Sequence, residues 1–452
     1  MSAITQLNPA ALPGSPYGSF DHTRAALTNV WIGGAPTIAQ IQGYTFGGVW
    51  LANEHVYFLI VDPNGNVRKR FTVPVGTTAI SNILTLLVAA FGGLDSTEWP
   101  EFAEVTAGSQ SGTVFTLTAD TAGNPFSVTL QTDSANGTID GGAFSTGYPI
   151  TANSGPEDYA CPANWSTSTV PITGDTIIAD LDGATIKWNL DQSSVSPAEV
   201  RILFPTGSLG LPQTNANGYP EYRQRYLKFS TATLVNVQST RSNFINVHCG
   251  TGDSTVNVTA SGTTGQGGTV PSVLILGSNV TASVTKGFVG FAALAGETCT
   301  LALTIGQSTN ANDANVVLGA GCVLSTVVKM SGTLTCNCAV GTSLTQAAGT
   351  TTINGTGNVA QLTIDGGKVI LNTAGTLGGN TVVAGSGYLD FSQDARTGKV
   401  VTNPIVLYGA QAGGSDALGV IARPYTVASK NGLGFINFNF GPSYQVAVSN
   451  AA

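Results

Sequence analysis

The hydrophobic residues of the chain follow two different spacings. From Ile80 to Phe91 they recur at positions i, i+3, i+4, i+7, i+8 and i+11, which predicts one amphipathic helix. Thr77 or Thr78 is expected to cap the start of this helix, and Gly92-Gly93 is expected to end it. Elsewhere the apolar residues form short segments, many of them alternating at period two, bounded by Gly, Pro, Asn, Ser and Thr. That pattern is typical of β-strands joined by turns.

The first third of the chain predicts a small mixed α+β module around this helix. Val56–Val61 and Val67–Val75 are expected to pair across a turn at Asp62–Gly65, because Pro fixes φ and Asn-Gly accepts a positive φ. Val114–Thr118 and Phe126–Leu130 are expected to form a second hairpin. Further strands are predicted at Gly48–Leu51 and Phe102–Thr106.

A repeat of 17 to 20 residues is visible later in the chain. Four segments align on a leading glycine, at Gly332, Gly349, Gly367 and Gly387. Equivalent positions carry equivalent residues: Leu334, Thr351, Val369 and Leu389 two places later, Cys336, Ile353, Leu371 and Phe391 four places later, and Asn337, Asn354, Asn372 and Ser392 five places later. A second strand recurs in each unit as Ser343–Thr345, Gln361–Ile364 and Asn380–Val383.

This repeat predicts a parallel β-solenoid. Coils stacked at about 4.8 Å would pile the apolar positions into inward columns and the asparagines into an amide ladder at a bend. The glycines would supply corners that need a positive φ. A β-sandwich with accidental periodicity is the alternative interpretation.

The predicted fold is therefore mainly β, with a small N-terminal α+β module, a right-handed parallel β-helix and a C-terminal cap. Residues 1–30 are expected to form an extended arm, 31–150 a docking module, 151–397 the solenoid, and 398–452 a cap that also mediates oligomerisation. Right-handedness is expected from the crossover rule for parallel strands. A cap is expected because the last coil would otherwise expose apolar surface and unpaired strand edges.

Composition narrows the expected partners. Charged residues make up 9% of the chain, and the net charge is −8. Nucleic acid is not an expected partner, because phosphate neutralisation requires clustered Lys and Arg. The densest basic stretches, Arg68-Lys69-Arg70 and Arg223-Gln224-Arg225, are expected to be solvated strand ends. The N-terminus does not resemble a secretory signal, and no apolar run is long enough to span a bilayer, so cytosolic synthesis without membrane insertion is expected.

Cysteine and histidine residues do not have the spacing of a zinc site. The three histidines, His22, His55 and His248, are scattered. The cysteines are expected to be reduced, buried small hydrophobes; they are Cys161, Cys249, Cys299, Cys322, Cys336 and Cys338. No cofactor or metal ligand is therefore predicted.

A series of segments resembles phage and prophage proteins of uncharacterised β-helix type. The resemblance extends from residue 31 to about 410 and is carried by Trp31–Gln40, Thr118–Phe126, Ala163–Asp175, Gly210–Asn215, Tyr219–Arg223, Leu389–Asp394 and Val401–Tyr408. The Ala163–Asp175 segment also resembles the opening of bacterial adhesin and autotransporter solenoids. These resemblances imply a virion-associated role and supply no catalytic residues.

Candidate chemistry in the solenoid is sparse. A glycosidase needs two carboxylates about 5–10 Å apart. The solenoid offers Asp253, Glu297, Asp313, Asp365 and Asp390, of which Asp365 and Asp390 lie in the repeat and are expected at solvated bends. Trp165 with Trp188, or Tyr219 with Tyr222 and Tyr226, could stack on sugar rings, although core or interface packing is the simpler explanation.

We therefore expect a non-enzymatic structural protein of a phage virion, assembled in the host cytoplasm. It would be a capsid-decoration or head-fibre protein, a homotrimer in contact with the major capsid protein or other virion proteins. The alternative is a tail-fibre or tailspike-type adhesin that binds host surface glycans, with or without depolymerase activity.

Overall fold

The computed structural model describes residues 25–203, 207–239, 244–262, 270–306, 314–319, 321–355, 357–373, 375–384, 386–390, 405–408 and 411–413. Within these ranges the protein is mainly β, as predicted. Two long parallel sheets form a β-solenoid, and two small antiparallel sheets with one helix form the N-terminal module.

The solenoid consists of two sheets that the chain visits in turn. The first, with 12 strands, contains Thr28–Val30, Thr176–Ala179, Glu199–Ile202, Leu234–Gln238, Asp253–Ala260, Asn279–Val284, Cys299–Ile305, Cys322–Lys329, Ala339–Gln346, Leu362–Ile364, Thr381–Ala384 and Ile405–Tyr408. The second, with 13 strands, contains Thr185–Ile186, Asp191–Gln192, Ser208–Leu209, Leu227–Phe229, Ile245–His248, Val273–Leu276, Gly287–Ala292, Ala314–Leu318, Thr333–Cys336, Thr350–Gly355, Lys368–Thr373, Tyr388–Asp390 and Gln411–Gly413. At about 4.8 Å per strand, the first sheet is about 50 Å long.

The predicted repeat register is confirmed. Leu334, Thr351, Val369 and Leu389 are successive backbone partners, and so are Cys336, Ile353 and Leu371. All seven side chains are buried, with at most 1% of each residue exposed. Phe391 and Ser392, the predicted continuation of the columns, lie outside the described residues.

The predicted asparagine ladder is present at the bend. Asn354 Nδ2 donates to Asn337 Oδ1 at 3.1 Å, and Asn372 Nδ2 donates to Asn354 Oδ1 at 3.2 Å. Gly349 and Gly367 have φ of +80° and +71°, as the predicted corners require. A Cβ on Gly349 would lie only 2.1 Å from the carbonyl oxygen of Gly332, so close coil stacking also demands glycine there.

Three strands of the solenoid sheets lie outside residues 151–397, the segment predicted to form the solenoid. Thr28–Val30, placed in the arm by the sequence, is the edge strand of the first sheet and pairs with Thr176–Ile178. Ile405–Tyr408 and Gln411–Gly413, placed in the cap, each add a strand to one sheet. Residues 1–24 and 414–452, which make up most of the predicted arm and cap, lie outside the described residues.

The N-terminal module packs two antiparallel sheets around the helix Ile80–Gly92. Ile83, Leu84, Leu87 and Phe91 form the buried face of that helix, as the spacing predicted. One sheet contains Ile41–Gly48, Val105–Gln110, Val114–Ala119, Gly137–Ile139 and Tyr148–Thr151, and the other contains His55–Val61, Val67–Pro74, Thr129–Thr132 and Phe144–Ser145. Short 3₁₀ helices occupy Phe102–Glu104 and Pro162–Asn164.

Four local predictions in the module are wrong. Phe102–Glu104, expected to begin a strand, is a 3₁₀ helix, and the strand begins only at Val105. Val114–Ala119 and Thr129–Thr132 do not pair as a hairpin, because they belong to different sheets: the first pairs with Ile41–Gly48 and the second with His55–Val61. Gly48–Leu51 was expected to form a strand, but the preceding strand Ile41–Gly48 ends at Gly48, whose φ is +75°. The helix has Ala79, not Thr77 or Thr78, at its N-cap position; Thr77 Oγ1 accepts a long hydrogen bond of 3.4 Å from the Ala79 N–H, which precedes the first helical residue.

One polar network lies inside the solenoid. Lys329 is fully buried, and its Nζ donates to Gln346 Oε1 at 3.2 Å and to the Ala348 carbonyl oxygen at 2.7 Å. Thr351 Oγ1 donates to the same Gln346 oxygen at 2.6 Å. Desolvation lowers the pKa of Lys329 to about 7. At neutral pH the charged and neutral forms of the Lys329 amine are therefore about equally populated.

Replacement of Ile353 by Asp should destabilise the solenoid by roughly 4 kcal/mol or more, because the carboxylate would be buried without a partner. Thr352→Asp is the matched control, since Thr352 is the half-buried neighbour on the opposite face of the strand. Urea unfolding followed by circular dichroism measures both. Equal losses in the two variants would contradict the inward placement of Ile353.

Lys329 should make the free energy of unfolding depend on pH. Its folded pKa lies below the unfolded value of about 10.4, so between about pH 7 and 10 the unfolded state binds more protons and stability rises with pH, by up to about 1.4 kcal/mol per pH unit. Below pH 7 the group contributes no further change. Lys329→Met should remove this rise, whereas Lys286→Met, at an exposed position, should keep it. Identical pH profiles for wild type and Lys329→Met in urea titrations would refute the assignment.

Candidate functional site

A loop of the solenoid joins it to the N-terminal module. Between the strands Ser208–Leu209 and Leu227–Phe229 the chain leaves the coil, and Tyr219 and Tyr222 enter the hydrophobic core of the module. Their rings stack on each other at 6.1 Å between centroids. The two parts of the protein therefore share one core at this loop.

Arg223 ties the loop to the module and uses all five of its guanidinium N–H groups, three within the loop and two to the module. Nε and Nη2 bind the two carboxylate oxygens of Glu221 at 2.8 and 3.0 Å. Nη1 binds Glu104 Oε2 at 3.2 Å and the Pro125 carbonyl oxygen at 3.0 Å, both in the module, and Nη2 also binds the Tyr219 hydroxyl at 3.1 Å. The planar fork of arginine suits this multiple recognition, which lysine could not reproduce.

The electrostatics of this cluster favour its charged form. Burial alone would raise the pKa of Glu221, but hydrogen bonds from Arg223 and Asn215 and the nearby guanidinium lower it overall. Burial and the Glu104 carboxylate together raise the pKa of Tyr219 well above its ordinary value, against the effect of Arg223. The Glu221 side chain is completely buried, and Arg223 retains 10% exposure.

A cleft of about 400 Å³ lies beside this cluster, between the module and the solenoid. The module contributes Pro63, Pro125, Phe126 and Phe144 to its wall. The solenoid contributes Trp188 and Asn189, together with Tyr222 and Arg223 from the loop. The wall therefore combines aromatic faces with polar groups, and both structural parts are needed to form it.

Trp188 is held firmly in the wall of the cleft. The Arg223 guanidinium lies 4.8 Å from the centre of the indole ring, a cation–π contact. Asn189, which follows it, has φ of +53°, and its Nδ2 donates to Asp158 Oδ1 at 2.7 Å. The indole Nε1 is buried and has no hydrogen-bond partner among the described residues.

The structure separates the aromatic residues that the sequence grouped as candidates for sugar stacking. Trp165 is fully buried in the solenoid core, 5.0 Å from Trp31 and 4.9 Å from Tyr159. Tyr219 and Tyr222 are also buried, and half-buried Tyr226 lies beside His248. Packing is thus confirmed for Trp165, Tyr219 and Tyr222, whereas Trp188 and one face of Tyr222 line the cleft.

The solenoid carboxylates lie in separate environments. Asp390 is buried 2.6 Å from Lys368 Nζ, which corrects its expected solvation, and Glu297 lies 3.0 Å from His248 Nε2. Asp365 is exposed, as predicted, and Asp253 is exposed as well. Asp313 lies outside the described residues.

The two basic stretches differ in environment. Arg68 is exposed on the edge strand Val67–Pro74, as expected for a solvated strand. The same expectation is wrong for Arg223, because the loop carries it into the contact with the module. The sequence did contain a signal for this buried ion pair. Within Tyr219–Arg223 the arginine follows two tyrosines and a glutamate, in a chain that is poor in charged residues.

The predicted burial of the cysteines is confirmed for Cys249, Cys299, Cys322, Cys336 and Cys338, while Cys161 is partly exposed. The Sγ atoms of Cys336 and Cys338 lie 3.4 Å apart. Across the described ranges, His, Cys, Asp and Glu side chains do not form a group arranged to hold a metal ion. Within the same part of the chain, no helix is long and apolar enough to cross a membrane.

Comparison of the chain with protein-family models gave no match, and comparisons with curated proteins and with solved structures gave none either. The interpretation of the junction therefore depends on its own geometry.

Arg223→Met should lower the free energy of unfolding by about 3–5 kcal/mol, because it leaves Glu221 buried without its cation. Arg201→Met is the matched control: Arg201 forms an exposed pair with Glu199, and its loss should change stability by at most about 1 kcal/mol. Guanidinium unfolding monitored by tryptophan fluorescence measures both. Equal effects of the two substitutions would show that the Arg223 cluster does not fix the junction.

Proposed function

We propose that the protein is a non-enzymatic structural component of a phage virion, of the capsid-decoration or head-fibre type. In this proposal the N-terminal arm, residues 1–30, and the module dock on the particle, and the solenoid projects from it. The resemblance of chain-long segments to phage β-helix proteins suggests the setting.

The observation that carries the proposal is the fixed junction between module and solenoid. Tyr219 and Tyr222 share the module core, and Arg223 links the two parts with two hydrogen bonds to the module, while three more hold it within its own loop. A projecting stalk transmits force and orientation to its base only if the connection does not hinge. A flexible linker would serve a freely moving binding domain better.

The finer features of the proposal follow from the physics of a solenoid. The coil is right-handed, in keeping with parallel crossovers in general. The segment after residue 413 caps the last coil and contacts sister chains in a homotrimer, because an uncovered coil end exposes strand edges and apolar surface. The partners are the major capsid protein or other virion proteins, and assembly takes place in the host cytoplasm.

A tail-fibre or tailspike-type adhesin is the second candidate function. The aromatic cleft beside Trp188 favours it, because such a cleft can hold a small ligand. Cryo-EM of intact particles distinguishes the candidates, since head and tail positions are directly visible. Release of reducing sugars from host polysaccharide by the purified protein would favour a depolymerase.

Removal of residues 1–24 should abolish incorporation into particles while the solenoid stays folded. The deletion ends at residue 24 because Thr28–Val30 forms the edge strand of the first sheet and must remain. Particles grown in a host that supplies the truncated chain in trans are purified and blotted for the protein, and circular dichroism checks its fold.

A chain in which a Gly/Ser linker of equal length replaces residues 2–24 is the matched control, and it should also be excluded from particles. Full incorporation of the truncated chain would overturn the docking role of this segment.

A further inference from the structure

The cleft between the module and the solenoid has the features of a ligand site. Its volume of about 400 Å³ falls within the range of small-molecule sites, roughly 300–1,000 Å³. Phe144, at the edge of the module, keeps 57% of its surface exposed although it is a large aromatic residue. Trp188 and Phe126, each 6% exposed, complete an aromatic lining on both sides of the cleft.

The charges in the wall argue against an anionic ligand. Lys187 Nζ lies 2.9 Å from Glu157 Oε1, and every guanidinium N–H of Arg223 is already used within the junction. The charge of Lys187 is thus already balanced by Glu157, and Arg223 has no N–H left for a phosphate or sulfate. Asp191 adds a carboxylate to the same wall, and Asp62, also in the wall, is paired with Arg68 Nε at 2.9 Å.

The polar groups of the cleft argue equally against a purely apolar ligand. Ser127 and Thr146 place exposed hydroxyl-bearing side chains in the wall, and Gln224 adds an amide. An apolar molecule would remove these groups from water without replacing their hydrogen bonds.

We infer that this cleft binds a neutral carbohydrate. The C–H faces of a sugar ring carry partial positive charge and complement the negative face of an exposed aromatic ring such as that of Phe144. Sugar hydroxyls both donate and accept, so they can bind the exposed hydroxyls and the amide of the wall. The inference goes beyond the virion role and does not depend on it, because the purified chain carries the whole cleft.

Binding is tested on the full chain with a panel of neutral di- to tetrasaccharides built from glucose, galactose, mannose and N-acetylglucosamine. Saturation-transfer NMR detects binding at millimolar sugar, and calorimetry gives the affinity. At least one neutral sugar should bind, and Phe144→Ala should weaken it tenfold or more. Ser127→Ala removes an exposed hydroxyl of the wall, and should weaken binding about fivefold, the equivalent of one neutral hydrogen bond.

Tyr148→Ala is the matched control, because Tyr148 is an exposed module aromatic, 38% accessible, outside the cleft wall. It should leave the affinity unchanged. Failure of the whole neutral panel to bind would overturn the inference, and so would equal weakening by Phe144→Ala and Tyr148→Ala. Salt-sensitive binding of heparin oligosaccharides without any neutral binding would also overturn it, in favour of an anionic ligand.

Discussion

In-register stacking of the coils is the constraint on which the rest of the molecule depends. A single coil cannot satisfy its own backbone hydrogen bonds or bury its own apolar face, so each coil is completed by its neighbours. Each position along a coil then stacks directly on its backbone partners in the coils above and below. Leu334, Thr351, Val369 and Leu389 form one such column, and the asparagine ladder forms another.

The same constraint determines what a polar residue can do inside the coil. Lys329 is the backbone partner of Ile305 on one side and Gln346 on the other, so its amine meets an apolar side chain in one direction and an amide in the other. Gln346 Oε1 and the Ala348 carbonyl oxygen accept hydrogen bonds from the amine, and Thr351 completes the network. A buried polar group is thus tolerated where the next coil supplies its partner.

Sequence reasoning succeeded where the interactions repeat at a fixed spacing. Gly349, Ile353 and Asn354 could be placed at corner, core and bend because three neighbouring coils carry equivalent residues. Earlier in the chain the second sheet receives extra short strands such as Asp191–Gln192, and no spacing shows them. In the module, alternation identified Val114–Ala119 as a strand with one buried face, but the choice of its neighbour depends on residues far away in sequence. Arg223 was misplaced for the same reason, since its main partner in the module, Glu104, is 119 residues away.

The cleft is a consequence of how the junction is built. The loop that carries Tyr222 and Arg223 faces the module core with one side and the cleft with the other. Arg223 therefore fixes the position of the module and, through its contact with the indole ring, the position of Trp188. Phe144 and Trp188 belong to different parts of the protein, yet their relative placement is already determined before any ligand arrives. A ligand that contacts both residues therefore binds without ordering these side chains at a large entropic cost, because the ion pairs behind the surface already hold it in place.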